Sequence, residues 1–297
     1  MHDQLGCLDY DVVDVFTDRA YAGNPLAVVH GAGGLTPSQL QALAREFNLS
    51  ETTFPTLRSE TAYDVRIFTP DTEIPFAGHP SVGTAWLLRS VGQLDADEVV
   101  QHCGAGEVPV QVRQAGAELA ATPQHVHRRD DASDLAAAVG LGADDVEGAA
   151  YEASCGLAWT FLRVRADAVA RSRPSPPGWL PQSRAPDPMG GLAVVAVTGP
   201  GTSWAGHARV FFPSGGVVVE DPATGSAAAA LGLVLAADGT AAAYGTTSYT
   251  IAQGAEIGRP STLTCRVDVA AGRAVRVHVA GGVAHVASGR IAVPPNP

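Results

Sequence analysis

The sequence predicts an α+β protein of two pseudo-symmetric halves, each a mostly antiparallel sheet wrapped round a central apolar helix. Three observations lead there. The chain repeats itself: Arg66-Ile67-Phe68-Thr69-Pro70 is followed by Gly78-His79-Pro80-Ser81-Val82-Gly83, and Arg209-Val210-Phe211-Phe212-Pro213 by Asp221-Pro222-Ala223-Thr224-Gly225-Ser226-Ala227. In both copies a strand ends at proline, a loop follows and glycine opens an apolar run. The phenylalanines are 211 − 68 = 143 residues apart and the glycines 225 − 78 = 147, so the second loop is four residues longer. Both apolar runs are hydrophobic round most of a helix circumference, which requires enclosure on nearly all sides. The remaining segments read as short strands punctuated by Gly and Pro, without the regular alternation of strand and amphipathic helix that a doubly wound sheet needs.

Taken in order, Val12 to Thr17, Leu26 to His30, Thr53 to Leu57 and Asp64 to Thr69 are rich in Val, Ile, Phe and Thr and are expected as strands. Thr36-Pro37-Ser38-Gln39-Leu40 begins a capped helix, with proline at the first helical position and Leu40, Leu43, Ala44 and Phe47 on one face. The first enclosed helix is expected over Pro80 to Val91, followed by a strand over Glu107 to Val112. Between Gln124 and Asp145 the chain turns polar and alanine-rich, which suggests the crossing between halves. The domain boundaries are placed at 1–124 and 125–297, with the C-terminal strand free to return to the first half. Strands are expected again at Ala158 to Val164, Leu192 to Val197 and Ala208 to Phe212. Arg171 to Pro188 reads as a surface excursion and Ala227 to Ala237 as the second enclosed helix. Strands over Thr247 to Ala252, Ser261 to Val267, Ala274 to Val279 and Val283 to Ile291 are separated by glycine turns, and Pro294 to Pro297 reads as a frayed tail.

Composition narrows the function. A chain of 297 residues, 46% hydrophobic and 16% charged, has material for two globular cores. Its net charge of 19 − 30 = −11 argues against nucleic acid or an anionic membrane as partner, since both demand clustered Lys and Arg. The longest apolar stretch, Ala227 to Ala237, falls well short of the roughly 20 residues that span a bilayer. The N-terminus lacks a basic region before an apolar one, so a cytoplasmic location is expected. Cys7, Cys103, Cys155 and Cys265 have no paired spacing, which disfavours a disulfide framework or a zinc site. There is no glycine-rich nucleotide motif.

The candidate site residues cluster at the two glycines. Gly78-His79-Pro80 and Gly225-Ser226 each place small residues at a helix entrance, where exposed amides and the helix dipole suit a substrate carboxylate. Glycine, proline and serine also start helices with no further role, but two matched copies favour a site. Asp221 in the second loop either caps a turn or orients a polar group of the substrate. Glu51, at the mouth of an apolar strand, either faces solvent in a turn or is desolvated, and burial raises a carboxyl toward the range useful for moving protons. His125 and His127 read as surface histidines, Asn24 as a turn residue and Cys155 as a small core residue.

The segments Gly23-Asn24-Pro25-Leu26-Ala27-Val28-Val29, Leu49-Ser50-Glu51-Thr52-Thr53-Phe54, Phe68-Thr69-Pro70, Gly78-His79-Pro80 and Glu220-Asp221-Pro222-Ala223-Thr224-Gly225-Ser226-Ala227 stand in order over nearly the whole chain. Together they resemble the PhzF-like family, named for the phenazine-biosynthesis isomerase. The resemblance implies the diaminopimelate-epimerase-like fold, with the active site between its halves. It implies a cofactor-independent isomerase of a small unsaturated amino or hydroxy acid, in secondary metabolism and as a homodimer. Glu51 is then the general base and acid, His79 and Asp221 hold polar substituents, and Gly78, Gly225 and Ser226 bind the substrate at the helix ends. No metal is implied. Related epimerases carry a cysteine beside each helix entrance, and the resemblance sets Ala77 and Ala223 in those places. The competing expectations are an epimerase or racemase of the same fold, and a non-catalytic homologue that only binds a small acid.

Overall fold

The computed structural model describes residues 6–174, 189–199, 202–214 and 216–296. It has many strands and few helices, and divides into two compact units: Met1–Leu119 with Ala280–Pro297, and Ala120–Val279.

In the first unit β1 (Cys7–Val15) pairs antiparallel with β2 (Asn24–Val29). Helix α1 (Pro37–Phe47) then crosses to β3 (Glu51–Ser59), which runs parallel to β2. The start of α1 follows from its sequence: Pro37 occupies the first turn, the Thr36 hydroxyl accepts from the Gln39 amide, and the Gln39 side chain accepts from the Thr36 amide. Its buried Leu40, Leu43 and Ala44 pack with Val29, Phe54 and Phe68. β4 (Ala62–Phe68) is antiparallel to β3 and to the two-residue β5 (Glu73–Ile74). Helix α2 (Gly78–Ser90) leads to β6 (Glu98–Cys103), parallel to β4, and β7 (Gly106–Arg113) and β8 (Gly116–Ala121) follow antiparallel. Residues 283–292 of the last strand pair antiparallel with β1, and that strand also pairs with β8. α2 packs against β1, β2, β3, β6 and β7.

In the second unit β9 (His125–Arg129), α3 (Ala132–Ala138) and β10 (Ala150–Ser154) come first, with β9 and β10 antiparallel. The stretch 124–145, expected as a polar crossing, is thus an edge strand and a helix. Its alanines and Leu135 supply one apolar face that joins Val139, Leu162, Val194 and Phe211 in a core. β11 (Ala158–Arg163), α4 (Ala166–Val169), β12 (Met189–Thr198), β13 (Ser203–Ser214), β14 (Val217–Asp221), α5 (Gly225–Ala237), β15 (Gly245–Gln253), β16 (Ser261–Ala270) and β17 (Arg273–Ala292) complete the chain. From β10 to β16 the pairings run antiparallel, parallel, antiparallel, antiparallel, parallel, antiparallel, the same succession as from β1 to β7. α5 is buried from Gly225 to Ala236 apart from Ser226 and packs against β9, β10, β11 and β16. At 13 residues it is too short to cross a membrane, and no helix among the described residues is long and apolar enough to do so.

The repeated Arg-x-Phe motif has one geometry in both units. Arg66 lies over the Phe68 ring at 5.1 Å and forks onto Glu73; Arg209 lies over Phe211 at 5.2 Å and forks onto Glu220. Phe68 pairs with Glu73 across the first hairpin and Phe211 with Glu220 across the second. The separations are 73 − 68 = 5 and 220 − 211 = 9, so all four extra residues lie in the second hairpin, whose ladder continues to Ser214↔Val217. The same register sets Ile74 in the place of Asp221, opposite Ile67 and Val210 respectively.

Three expectations are corrected. Ala274–Val279 and Val283–Ile291 form one strand, because Gly281 and Gly282 serve close approach and not a turn. A Cβ on Gly281 would lie 2.3 Å from the Phe16 ring and one on Gly282 2.5 Å from the Thr17 carbonyl oxygen. The tail is tied as far as Asn296: Gln39 Nε2 donates to the Pro294 carbonyl at 2.8 Å and the Thr36 hydroxyl to Asn296 Oδ1 at 3.2 Å. His125 is partly buried, its Nε2 3.7 Å from the buried Glu152 carboxylate, because both side chains point to the face that Arg129 also lines. Most of the Arg171–Pro188 excursion lies outside the described residues.

Candidate active site

The entrance of α2 is assembled from below by the sheet. Ala77 is its N-cap and has no side chain with which to close the first turn. The turn is held instead by Ser81, whose hydroxyl donates to the Ala77 carbonyl at 2.8 Å and accepts from Gln101 Nε2 at 2.8 Å. Gln101, fully buried on β6, in turn accepts from the Tyr63 hydroxyl at 2.9 Å. Every polar group of this chain is paired, which burial demands. The amides at Gly78 and His79 thereby keep their direction at the positive end of the helix.

His79 and Glu51 meet at this entrance. Glu51 opens β3, which lies parallel to β2 with Leu26 opposite Glu51. Its side chain is 16% exposed and that of His79 7%, and Glu51 Oε2 lies 3.3 Å from His79 Nε2. Glu51 is therefore largely enclosed and not a solvent-facing turn residue. Burial pushes the imidazole down to about 3, with a hydrogen bond to the Pro25 carbonyl opposing the shift, so His79 is neutral at physiological pH. Nε2 makes no hydrogen bond and faces Glu51, so the bond to the Pro25 carbonyl is assigned to Nδ1–H, the tautomer that leaves the Nε2 lone pair toward Glu51.

Pro25 lies in β2, directly after a loop whose part in the site sequence reasoning missed. Asn24 is fully buried at the start of β2 and is not a turn residue. Phe16, Tyr21 and Gly23 all have positive φ, at 64°, 65° and 68°. A Cβ on Gly23 would sit 2.3 Å from the Val15 carbonyl oxygen, so the Gly23-Asn24-Pro25 segment admits no larger first residue. The two strained non-glycine residues are held by contacts of the loop, among them the Tyr21 amide donating to the buried Asp14 Oδ2 at 2.6 Å.

The entrance of α5 is built from different side chains. Thr224 is the N-cap, and its side chain does not close the first turn. Its hydroxyl donates to Asp221 Oδ2 at 2.5 Å. Gln253, at the end of β15, donates to the Asp221 carbonyl at 2.8 Å and the Thr224 hydroxyl at 3.0 Å, and accepts from the Thr224 amide at 3.2 Å. Asp221 is 8% exposed and Ala223 fully buried, and the Ser261 hydroxyl donates to the Pro222 carbonyl at 2.9 Å. Ser226 accepts from Trp159 Nε1 at 3.0 Å, which leaves its own proton to donate. Thr224, directly before Gly225, matches Ala77 as N-cap, and Ala223 stands one residue upstream of it.

The structure brings Glu51, His79 and Gly78 together in one unit, and Asp221, Gly225 and Ser226 to one loop–helix junction in the other. Sequence reasoning missed Gln101, Gln253 and Trp159. The glutamines carried a signal: Gln253 is in phase with the buried Thr247, Tyr249 and Ile251 along β15, and Gln101 with Val99 along β6. A polar residue at a core position needs partners. Cys155 is half-buried in surroundings that push its thiol up to about 12, which removes it as a nucleophile.

Residues 13–289 match the family model described as phenazine biosynthesis-like protein. The chain is 37% identical over 291 residues to a trans-2,3-dihydro-3-hydroxyanthranilate isomerase of Pseudomonas aeruginosa, covering 95% of this chain and 98% of that one. It is 35% identical over 299 residues to an uncharacterised isomerase of Mesorhizobium japonicum, covering 95% and 98%. A Bacillus anthracis protein of the PhzF family shares the fold, with a TM-score of 0.83 over 96% of this chain and 99% of that one at 24% identity. The paired helix entrances, the Gly-Asn-Pro loop and these full-length matches lead to one conclusion: the chain belongs to the phenazine biosynthesis-like PhzC-PhzF family and is an isomerase.

Proposed function

We propose that this isomerase moves a proton along an unsaturated small amino or hydroxy acid, with Glu51 as both general base and general acid. The observation that carries the reading is the enclosed Glu51 carboxyl 3.3 Å from a neutral His79 at an uncapped helix entrance. With Nδ1–H spent on Pro25, His79 Nε2 accepts a hydrogen bond from a protonated Glu51, so the pair suits a carboxyl group that holds a proton between the two halves of the reaction. Glu51 takes a proton from the carbon beside a double bond, the electron pair moves through the conjugated system as the double bond shifts, and the same carboxyl returns the proton at the far end. The step is internally balanced and needs no cofactor.

In this reading Asp221, and His79 through Nε2 while Glu51 is ionised, hold the substrate's polar substituents, and Gly78, Gly225 and Ser226 bind its anionic end. Helix-end amides stabilise the negative charge that develops on proton removal. The relative's named substrate, a small cyclic hydroxy-amino acid, is the model for the class. The repeated pairing order and the shared Arg-x-Phe-Glu geometry support a fold of two pseudo-symmetric halves divided near residues 124 and 125, each wrapped round its apolar helix. A homodimer acting in secondary metabolism belongs to the same reading, by resemblance to the family. Epimerisation by two flanking acids is the weaker reading, because the N-cap positions hold Ala77 and Thr224 and neither side chain exchanges a proton near neutral pH.

The test is turnover of trans-2,3-dihydro-3-hydroxyanthranilate in D2O. The wild type is expected to relocate the double bond, its migrating hydrogen carried over by Glu51 or exchanged for deuterium while held there, and Glu51→Gln to lose about 10² to 10⁴ in rate while keeping its circular dichroism. Unchanged turnover in that variant overturns the assignment. Inversion of a stereocentre without relocation of the double bond favours the epimerase.

A further inference from the structure

We propose that Gln253 is a positioning residue for this isomerase: from the end of β15 it fixes the direction of the Thr224 hydroxyl and, through it, the Asp221 carboxylate. The inference rests on the reading that Asp221 holds the substrate. Gln253 is 2% exposed, and its amide is fully used on one short loop. One nitrogen donates to the Asp221 carbonyl and to Thr224 Oγ1, and the oxygen accepts from the Thr224 amide. The amide admits one orientation only. Flipped, it would set its NH2 against the Thr224 N–H and its oxygen against the Asp221 carbonyl, leaving buried groups opposed.

That orientation decides where the Thr224 proton goes. A hydroxyl has a single hydrogen, and with Gln253 donating into its oxygen, that hydrogen points to Asp221 Oδ2, 2.5 Å away. The chain from Gln253 to Thr224 to Asp221 has one polarity and ends on a carboxylate. A hydrogen bond that serves only to hold a loop would be satisfied by any acceptor, and the related chain in the first unit does end on one, the Ala77 backbone carbonyl. Gln253 is also anchored on a strand, opposite Ala208 of β13, so the loop takes its placement from the sheet. Gly254 turns the chain immediately after, with φ of +79° and the Pro222 carbonyl oxygen 2.5 Å from where a Cβ would lie. Gln253 touches no reacting atom in this scheme; it acts through Thr224.

The test uses the full chain with Gln253→Leu, Thr224→Val and Thr224→Ser, followed by the carboxyl carbon resonance of Asp221 across pH and by kcat and KM on trans-2,3-dihydro-3-hydroxyanthranilate. In Gln253→Leu and Thr224→Val the Asp221 carboxylate loses an oriented donor, so its titration is expected to move to higher pH and kcat/KM to fall about tenfold, while Thr224→Ser behaves as wild type. Should Gln253→Leu fail to fold, Gln253→Asn keeps an amide but withdraws it by one methylene, and the same upward move is expected. An Asp221 titration identical to wild type in the Gln253 variant, with only the melting temperature lowered, overturns the proposal. Asp221→Asn separates the two claims: wild-type turnover in that variant refutes substrate handling by Asp221, and the titrations still decide whether Gln253 positions it.

Discussion

The two helix entrances are built on one backbone plan and furnished differently. Each is an uncapped first turn, reached from a two-stranded hairpin and supported by a buried glutamine on the following parallel strand. At α2 the supporting chain ends on a backbone carbonyl, and the ionisable groups, Glu51 and His79, come from β3 and from the helix itself. At α5 the supporting chain ends on Asp221, which stands where the first unit has Ile74. Duplicated architecture thus yields two anion-friendly helix ends, and under the proposed function the side chains at matched positions separate a proton-moving entrance from a holding one.

The largest effect is expected at Glu51. Glu51→Gln is expected to lose about 10² to 10⁴ in turnover, and Asp221→Asn less, because a holding group contributes binding and orientation while the base contributes the bond-breaking step. Steady-state kinetics on both variants checks the order; a larger loss at Asp221 would reverse the assignment of roles. Next comes the repeated arginine. Arg209 and Glu220 are 7% and 9% exposed, so Arg209→Ala strands a buried charge and should cost about 3–5 kcal/mol by denaturant unfolding.

The histidine makes a pH-dependent difference. Its folded value of about 3 lies below the unfolded 6.5, so between these limits the unfolded chain binds more protons. The stabilising contribution is complete above about 6.5 and is lost as pH falls toward 3. Urea titrations of wild type and His79→Asn should therefore diverge on acidification by up to about 1.4 kcal/mol per pH unit within that window, the wild type losing more. Parallel curves would show that His79 is not buried as described.

Two smaller effects sharpen the match between the central helices. A Cβ on Gly83 of α2 would lie 2.7 Å from Leu26 and Val15, and one on Gly232 of α5 2.7 Å from the Tyr249 hydroxyl oxygen. Glycine to alanine normally stabilises a helix, but here each substitution is expected to destabilise by about 1–3 kcal/mol through overpacking. Thermal melts of Gly83→Ala and Gly232→Ala decide the sign. Arg66→Ala should cost at most about 1 kcal/mol, since Arg66 and Glu73 are 38% and 42% exposed, and equal losses at Arg66 and Arg209 would erase the contrast between the units.

Much of the fold was legible because it depends on local signals. The Thr36-Pro37 cap, the enclosed runs after Gly78 and Gly225 and the strand ending at Phe68 follow from turn chemistry and period, whereas the strand expected to end at Phe212 runs on through Pro213 to Ser214 because the longer hairpin keeps pairing. What escaped were residues whose local reading is misleading. Gly281-Gly282 looks like a turn until Phe16 and Thr17 are laid across it. His125 looks like a surface residue until Glu152 is set beside it. The segment 124–145 looks like a linker because its apolar face comprises few residues, and those are mostly alanine. At the site, Gly78, His79, Gly225 and Ser226 were flagged by the helix-start pattern, whereas Gln101, Gln253 and Asn24 were not, since a polar residue within a strand or turn shows no partner until the chain is folded.

By itself the sequence determined the duplicated plan, the two apolar helices and the residue types at their entrances, because strand period, proline and glycine act over a few neighbouring residues. Only the tertiary structure decided that Glu51 is enclosed against a neutral His79, that the hydroxyl of Thr224 points to Asp221 and that the four extra residues extend a hairpin. These outcomes depend on desolvation and on hydrogen-bond partners supplied from positions tens of residues away, and no local pattern records which groups burial will bring together.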